Sequence, residues 1–357
     1  MSRRPTRSSP RSAKGKRKRP KPKHTPRPSR RPAAPAPAVV VSAGALCWRL
    51  REDADGPEDL DLEVLLVRSA RWGDWSWPKG KIKPGETLPE CAVREVQEET
   101  GVRPLLGRPL PSVGYVLPDG RDKTVTYWAA QALFTTSRSA QPEEIADAVW
   151  LPVQEARVLL TRPSDLPPLE ALMAHARAGE LDTRALVVLR HAKARSRAHW
   201  PGTEGDRPLT SVGRSQANAL PGLIAVWAVD HVLTSPWARC MMTLLPYLRE
   251  RSPAADPYQG VEVLPLLSEQ GLRNHPERVP ELFHSLLTER AGSWLVCTHR
   301  PVLESVMGAL AKACTPAALE SLPAANPWLG TGEALIAHIA GAGQIVAVER
   351  FRPEVRS

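Results

Sequence analysis

From Val39 onward, apolar residues arrive in short runs broken by turn residues, and residues 39–48 and 63–68 read as strands around an acidic loop at 52–61. The spacing then changes. Across residues 87–100, Leu88, Cys91, Ala92, Val93 and Val96 recur on a helical period, with Gly101 placed to end the helix. Strands are expected at 112–117 and 124–134, and a short helix after Trp150-Leu151-Pro152. Residues 163–168 are rich in proline and predict a domain joint, with 169–178 as a linking helix. Beyond it the texture alternates. Continuous apolar strands at 185–189, 231–234 and 294–298 are separated by helical stretches at 211–226, 237–251 and 301–313, the pattern of a largely parallel sheet covered on both faces. Residues 334–339 and 345–351, around Gly341 and Gly343, predict a closing hairpin. The organisation expected is a tail over 1–38, a first domain over 39–160, a linker over 161–182 and a second domain over 183–357.

Charge changes the picture only at the front of the chain. The 357 residues carry Lys+Arg 48 against Asp+Glu 38, a net +10, which invites a nucleic-acid partner. Residues 1–38, however, hold 14 Lys/Arg, no acid and 9 prolines, so 39–357, with 34 basic against 38 acidic residues, is net −4. The basicity belongs to the tail. So charged a segment cannot offset its ordering entropy by burial and is expected to be disordered, with nucleic acid, polyphosphate or anionic lipid as the contacts its charge would suit. Ser29-Arg30-Arg31 ahead of an apolar run to Cys47 imitates a twin-arginine lipoprotein signal, but prolines interrupt the run and Leu46 stands where a small residue is needed. No stretch approaches the roughly 18 apolar residues of a membrane span, so no membrane partner is expected. The thiols Cys47, Cys91, Cys240, Cys297 and Cys314 are odd in number, widely spaced and without a C-x-x-C, which suits a cytoplasmic address and suggests neither disulfides nor zinc.

Two constellations carry chemistry. Glu95, Glu98 and Glu99 stand at i, i+3 and i+4, three carboxylates on the helical face opposite Leu88, Ala92 and Val96. Such a face suits hard divalent cations, Mg²⁺ above all, bridging to phosphates. In the second half, three strand ends deliver Arg190-His191, Arg239 and His299 to the carboxyl edge of the expected sheet, where open α/β sheets bind ligands. A neutral imidazole can attack phosphorus there if positive groups stabilise the equatorial oxygens, without metal or other cofactor.

The first constellation resembles the Nudix hydrolase box: Gly80, Glu86, Arg94, Glu95, Val96, Glu98, Glu99, Gly101 and Val102 occupy all its fixed positions. The resemblance implies an α/β/α sandwich with a mixed sheet, metal ligation by Glu95, Glu98 and Glu99 with the Gly80 carbonyl, and orientation of the carboxylates by Arg94. Mg²⁺, or alternatively Mn²⁺, would be the cofactor. It also implies a water nucleophile with a box glutamate as base, Glu98 being the candidate, and cleavage of a diphosphate bond. Glu144 resembles the additional acid of many members, and Glu143 is the alternative. Trp75-Ser76-Trp77-Pro78-Lys79-Gly80-Lys81 resembles the entrance of members acting on nucleoside triphosphates, dinucleoside polyphosphates or diphosphoinositol compounds. Lys79, Lys81 and Lys123 would neutralise the polyphosphate, Tyr127 would line the site, and a base would stack on one of Trp72, Trp75 or Trp77.

The second half resembles the histidine phosphatase superfamily, on Leu189-Arg190-His191-Ala192-Lys193, Arg207-Pro208-Leu209-Thr210, Thr234-Ser235-Pro236 with Arg239, and Thr298-His299. The resemblance implies a three-layer α/β/α fold with a mostly parallel sheet, His191 as nucleophile, Arg190 and Arg239 as phosphate clamp and His299 as second imidazole. Lys193 would contact substrate. Ala192 departs from the commoner glycine, and the leaving-group acid is open, with Glu269 the candidate.

The fusion in this order resembles two-domain MutT-type proteins of actinobacteria, implying hydrolysis of oxidised guanine nucleotides such as 8-oxo-dGTP and 8-oxo-GTP, with the phosphatase site acting on a product. Two alternatives stand beside it. One makes dinucleoside polyphosphates or diphosphoinositol compounds the substrate; the other is a tail-driven RNA or polyphosphate binding module with weak catalysis. Association between Nudix and phosphatase domains is a further expectation.

Overall fold

The computed structural model describes residues 39–51, 62–136, 143–252 and 255–353; the tail over 1–38 and the acidic loop over 52–61 lie outside them. Two sheets form within the compact unit Pro37–Ser357. The first holds β1 (Val40–Leu50), β2 (Leu62–Ser69), β3 (Trp75–Ser76), β4 (Lys79–Lys81), β5 (Val102–Val116), β6 (Asp122–Thr135) and β7 (Ile145–Pro152). Its main path runs β3-β2-β1-β6-β5, with β4 on β1 and β7 on β2. The β1–β6 pair is parallel and the others antiparallel, giving the expected mixed sheet.

One helix of this half, α1 (Leu88–Thr100), is specified at both ends. Thr87 and Glu90 form a reciprocal capping box, and Gly101 ends the helix in the left-handed region at φ 76°. Cys91, Ala92 and Val96 are buried against Ala43, Ala45 and Cys47 of β1. The opposite sheet face packs Leu46, Val125 and Tyr127 against α2 (Val153–Leu159) and α3 (Leu166–Arg177) through Ala156, Leu169 and Leu172. β5 begins ten residues before the expected 112–117. Pro104, Pro109 and Pro111 disguise it, and its edge position tolerates them through three register shifts.

The second sheet runs β10-β9-β11-β8-β12-β13. β8 (Thr183–Arg190), β9 (His231–Thr234), β10 (Val261–Val263) and β11 (Trp294–Thr298) are parallel, while β12 (Ala334–Ala340) and β13 (Gln344–Phe351) close it as the predicted hairpin. Helices α4 (Ser211–Asn218), α5 (Leu220–Ala225), α6 (Ala238–Arg251), α7 (Glu269–Asn274), α8 (Arg278–Thr288), α9 (Arg300–Ala313) and α10 (Pro316–Ser321) accompany its strands. The single helix expected over 211–226 is divided at Ala219, where Pro221 begins a new first turn without an N–H to give the preceding helix. α8 answers no predicted element, although Val279, Leu282, Phe283, Leu286 and Leu287 carry a full amphipathic period and are all buried. The five cysteines are free, and no helix among the described residues is long and apolar enough to cross a membrane.

The two sheets meet. Trp128 on β6 donates its indole N–H to Glu349 on β13 at 3.0 Å, and the same carboxylate lies 2.8 Å from buried His338 Nε2. Gly222 of α5 lies so close to α1 that a Cβ there would sit 1.9 Å from Glu90 Oε1, an oxygen of the residue that closes the α1 capping box. Gly222→Val is therefore expected to break that box from the far side of the contact, destabilising the protein by about 1–2 kcal/mol. Urea unfolding checks it, and an unchanged midpoint would contradict it.

Candidate active sites

In the first half, Arg94 organises the acids. Its Nε and Nη2 donate to Glu86 at 2.7 and 2.9 Å, Nη1 donates to Glu95 at 2.6 Å and Glu98 at 2.8 Å, and Nη2 also reaches the Lys81 carbonyl at 3.0 Å. This one guanidinium joins the loop to the helix. Partial burial lifts the Glu86 carboxyl, but hydrogen bonds from Arg94 and the Lys83 amide outweigh it and hold the group below the ordinary carboxylate range. Glu95 goes the other way, raised by burial against Arg94's pull. Glu99 is almost sealed from water, and burial pushes its carboxyl up to about 8, against the charge and amide of Lys79. The Lys79 amide is its hydrogen-bond donor, at 3.0 Å.

β4 passes directly over these acids. A side chain at Gly80 would put Cβ 2.0 Å from the Glu95 carboxyl carbon, so only glycine allows the strand to lie this close. Among the described residues no three acidic, histidine or cysteine side chains are drawn together tightly enough to hold an ion, because Arg94 engages the facing oxygens of Glu95 and Glu98. The donor chemistry nevertheless fits a hard divalent cation: every group is an oxygen, and Glu99 carries a burial cost that a neighbouring cation would relieve. Glu144 is exposed, yet near enough to Glu99 to raise its proton affinity; Glu143 is exposed as well.

The predicted lysines divide. Lys79 is partly buried, with Nζ donating to Ser76 Oγ at 2.7 Å and the Trp77 carbonyl at 3.1 Å, and burial lowers its proton affinity against the opposing fields of Asp165 and Glu99. Lys123 lies 5.7 Å over the Tyr115 ring, also lowered by burial, whereas Lys81 is exposed at the strand end. Tyr127 is fully buried. Of the three tryptophans, Trp77 is sealed, its indole donating to the Asp165 carbonyl at 2.9 Å; Trp72 is exposed and Trp75 intermediate.

In the second half the parallel register brings the strand ends level: Thr298 pairs Arg190, and Cys297 pairs both Leu189 and Thr234. His191 and His299 follow immediately, their ring centroids 5.1 Å apart. His191 Nδ1 lies 2.8 Å from the Ala192 carbonyl, which can only accept, so the proton sits on Nδ1 and the Nε2 lone pair faces Arg239 Nε at 3.2 Å. Burial, opposed by that carbonyl bond and helped by Arg239, Arg190 and Arg207, lowers the imidazole pKa to about 3. His299 is lowered too, by burial and then by His191 and the same arginines; its Nε2 is 2.8 Å from Ser235 Oγ, while buried Nδ1 has no partner.

The clamp arginines are engaged by the protein itself. Fully buried Arg239 donates to the Glu204 carbonyl at 3.0 Å and Glu269 Oε1 at 2.9 Å, with its guanidinium 4.4 Å over the Trp237 ring. Arg190 donates to the Leu329 carbonyl at 2.6 Å, and its buried Nε has no partner. Glu269 joins the site through arginines, since Arg197 holds its other oxygen. Lys193 is exposed, its amide donating to Gln216 at 2.8 Å. Sequence reasoning missed Glu204, which pairs with Arg207, Arg197 and Arg239 from a loop of no regular pattern. The spacing Glu204 to Arg207 was the available signal. Together with Trp237 and Glu269 it lines a cavity of about 530 Å³.

The sequence matches the NUDIX domain over residues 43–172 and the histidine phosphatase superfamily (branch 1) over 186–273. An 8-oxo-(d)GTP phosphatase of Mycolicibacterium smegmatis is 32% identical over 271 residues, covering 75% of this chain and 80% of that protein. The chain belongs to the Nudix family. It is a Nudix hydrolase fused to a histidine phosphatase domain. A putative mutator protein MutT4 of Mycobacterium tuberculosis is 38% identical over 119 residues, 32% of this chain and 46% of that one. Among solved structures, the protein histidine phosphatase SixA complexed with tungstate is similar at 24% identity and TM-score 0.35, over 47% of this chain and 97% of that one.

The neutral His191 of this Nudix hydrolase has a pH consequence. If its imidazole carries the phosphatase reaction, log kcat/KM is expected to show no acid limb near 6.5, staying flat to about pH 5. Stability has the opposite sensitivity. Between pH 6.5 and about 3 the unfolded imidazole binds a proton that the folded one refuses, so this contribution to stability is present above 6.5 and lost as pH falls.

Proposed function

We propose that the protein hydrolyses phosphoanhydride bonds of oxidised guanine nucleotides, 8-oxo-dGTP and 8-oxo-GTP, at the Nudix box, and that the phosphatase site removes phosphate from a product. The observation that carries the reading is the pairing, in one compact unit, of an Arg94-ordered acidic face with a His191–Arg239–His299 centre. The relative named for 8-oxo-(d)GTP, matched over 75% of this chain, supports the substrate.

Nudix hydrolases use divalent cations such as Mg²⁺. Here Glu95, Glu98 and Glu99 with the Gly80 carbonyl would hold Mg²⁺ or Mn²⁺, which when bound supplies charge against the phosphate oxygens and acidifies water. Arg94 positions the carboxylates, Glu98 takes the proton of the attacking water, and Lys79, Lys81 and Lys123 face the polyphosphate. Glu144 adds a further carboxylate.

At the second site His191 Nε2 forms a bond to phosphorus as the P–O bond breaks, the electron pair leaving with the oxygen. Water then cleaves the N–P bond and returns free imidazole and inorganic phosphate. Arg190 and Arg239 face the equatorial oxygens, so phosphate takes the places that the Leu329 carbonyl, Glu204 and Glu269 hold in their absence. Glu269 protonates the leaving oxygen once Arg197 releases it.

Product analysis with 8-oxo-dGTP, dGTP and diadenosine tetraphosphate tests the assignment. Monophosphate plus pyrophosphate, or diphosphate plus phosphate, locates the bond attacked. Preferential cleavage of diadenosine tetraphosphate would replace the oxidised-nucleotide reading with the dinucleoside one.

A further inference from the structure

Gln216 is an uncharged side chain buried inside α4, 6% exposed, and both ends of its amide are engaged beside the phosphatase centre. Its Oε1 accepts from the Lys193 N–H at 2.8 Å, and its Nε2 donates to the Thr331 carbonyl at 3.0 Å. One partner can only donate and the other can only accept, which fixes the way the amide faces. Gly332, in the left-handed region at φ 70°, packs against it: a Cβ there would sit 3.2 Å from Gln216 Cβ, so the side chain has little room to turn.

The Lys193 N–H is one end of a peptide whose other end is the Ala192 carbonyl, the group 2.8 Å from His191 Nδ1. In a trans peptide the two ends point in opposite directions, so holding the N–H on Gln216 aims the carbonyl at the imidazole. The flanking peptides are held separately. The Ala192 N–H donates to Thr243 Oγ1 at 2.9 Å, and the Lys193 carbonyl accepts from the Thr210 N–H at 2.9 Å and from its hydroxyl at 3.1 Å. With both neighbours pinned, the motion left to this stretch is a flip of the 192–193 peptide about its own axis, and the Gln216 bond opposes it. Thr210 is the N-cap of α4, so a single helix holds Lys193 from its cap and from its third turn.

Such a flip would reach the chemistry. A neutral imidazole carries its proton on either nitrogen, and the carbonyl selects Nδ1, which leaves the lone pair on Nε2, 3.2 Å from Arg239 Nε. Turned over, the same peptide would present an N–H to Nδ1. Two donors cannot pair, so the proton would move to Nε2 and the nitrogen that faces the clamp would lose its lone pair. We propose that Gln216 is a positioning residue of the phosphatase centre, keeping His191 in its nucleophilic tautomer through the Lys193 amide. The assignment rests on the phosphatase reading above and deepens it.

The test compares the full-length protein with Q216M, which keeps the length of the side chain without its amide, and Q216E, which keeps an acceptor for the Lys193 N–H. Long-range ¹H–¹⁵N spectra of histidine-labelled protein report the tautomer, the His191 signals being those absent from H191A. At neutral pH the wild type is expected to show His191 protonated on Nδ1 alone, and Q216M to show a large Nε2–H population. Metal-free phosphate release from a nucleoside diphosphate should fall in Q216M by about 10–100-fold in kcat with KM within about twofold, the scale of losing a group that orients a working imidazole. Q216E should keep the wild-type tautomer and lose no more than about threefold in kcat. A His191 still protonated on Nδ1 alone in Q216M would overturn the proposal, and so would a Q216E that has lost that tautomer; if Q216M does not fold, Q216E decides. The two readings separate cleanly. A wild type that releases no phosphate but loses the Nδ1 tautomer in Q216M sinks the phosphatase reading and keeps the tautomer lock, whereas a Q216M that turns over at the wild-type rate does the reverse.

Discussion

Replacing His191 with alanine is expected to lower phosphatase turnover by about 10³-fold or more, the scale of losing a covalent nucleophile, while leaving Mg²⁺-dependent hydrolysis within about twofold of wild type. The basis is local. His191 Nε2 is the unprotonated nitrogen, directed at Arg239, and no second imidazole replaces it: the partner ring of His299 faces Ser235 and Cys240. The imidazole donates to its neighbour's carbonyl and accepts from Arg239 Nε, and neither bond belongs to the strand ladder, so removing it opens a small cavity at the end of β8 without unpairing the strand. The measurement is phosphate release from a nucleoside diphosphate without metal, alongside dGTP hydrolysis with Mg²⁺. Loss of both activities from this one substitution would refute the two-site assignment.

Glu98→Gln is the converse. It should reduce Mg²⁺-dependent hydrolysis by about 10²-fold, as expected for loss of a metal ligand or general base, and spare the phosphatase. Glutamine keeps the shape and still accepts one hydrogen bond from Arg94, which Glu86 and Glu95 continue to hold. The Lys83–Glu98 pair is exposed and contributes little to stability. The helix therefore survives and the loss is electrostatic. Activity followed against Mg²⁺ concentration should show a right-shifted requirement, and a variant with wild-type Mg²⁺ dependence and rate would show that Glu98 is neither ligand nor base.

Both centres were legible in the sequence where spacing alone determines geometry. Glu95, Glu98 and Glu99 share a face because any helix puts i, i+3 and i+4 together, and Arg190, His191 and His299 converge because parallel strands end level. What depended on approach between distant elements was not legible. Asp165 hides in a proline-rich joint that reads as a connector, and its burial follows from Trp77 reaching it across 88 residues. The Glu204 and Glu269 carboxylates on Arg239 come from a loop and from the first turn of α7. Nothing in the periodicity of α1 announces that a glycine on α5 will lie against its cap.

Beside that contact runs one apolar cluster extending from Ala43, Cys91 and Trp128 to Leu220, Leu223 and Trp227. Neither half therefore owns its own floor. Heat should melt them as a single calorimetric unit, and a chain severed in the proline-rich joint would yield fragments with adhesive, water-averse faces. Two chemistries that share no reacting atom are thereby bound to one thermal fate, so a substitution that loosens either sheet is felt by both.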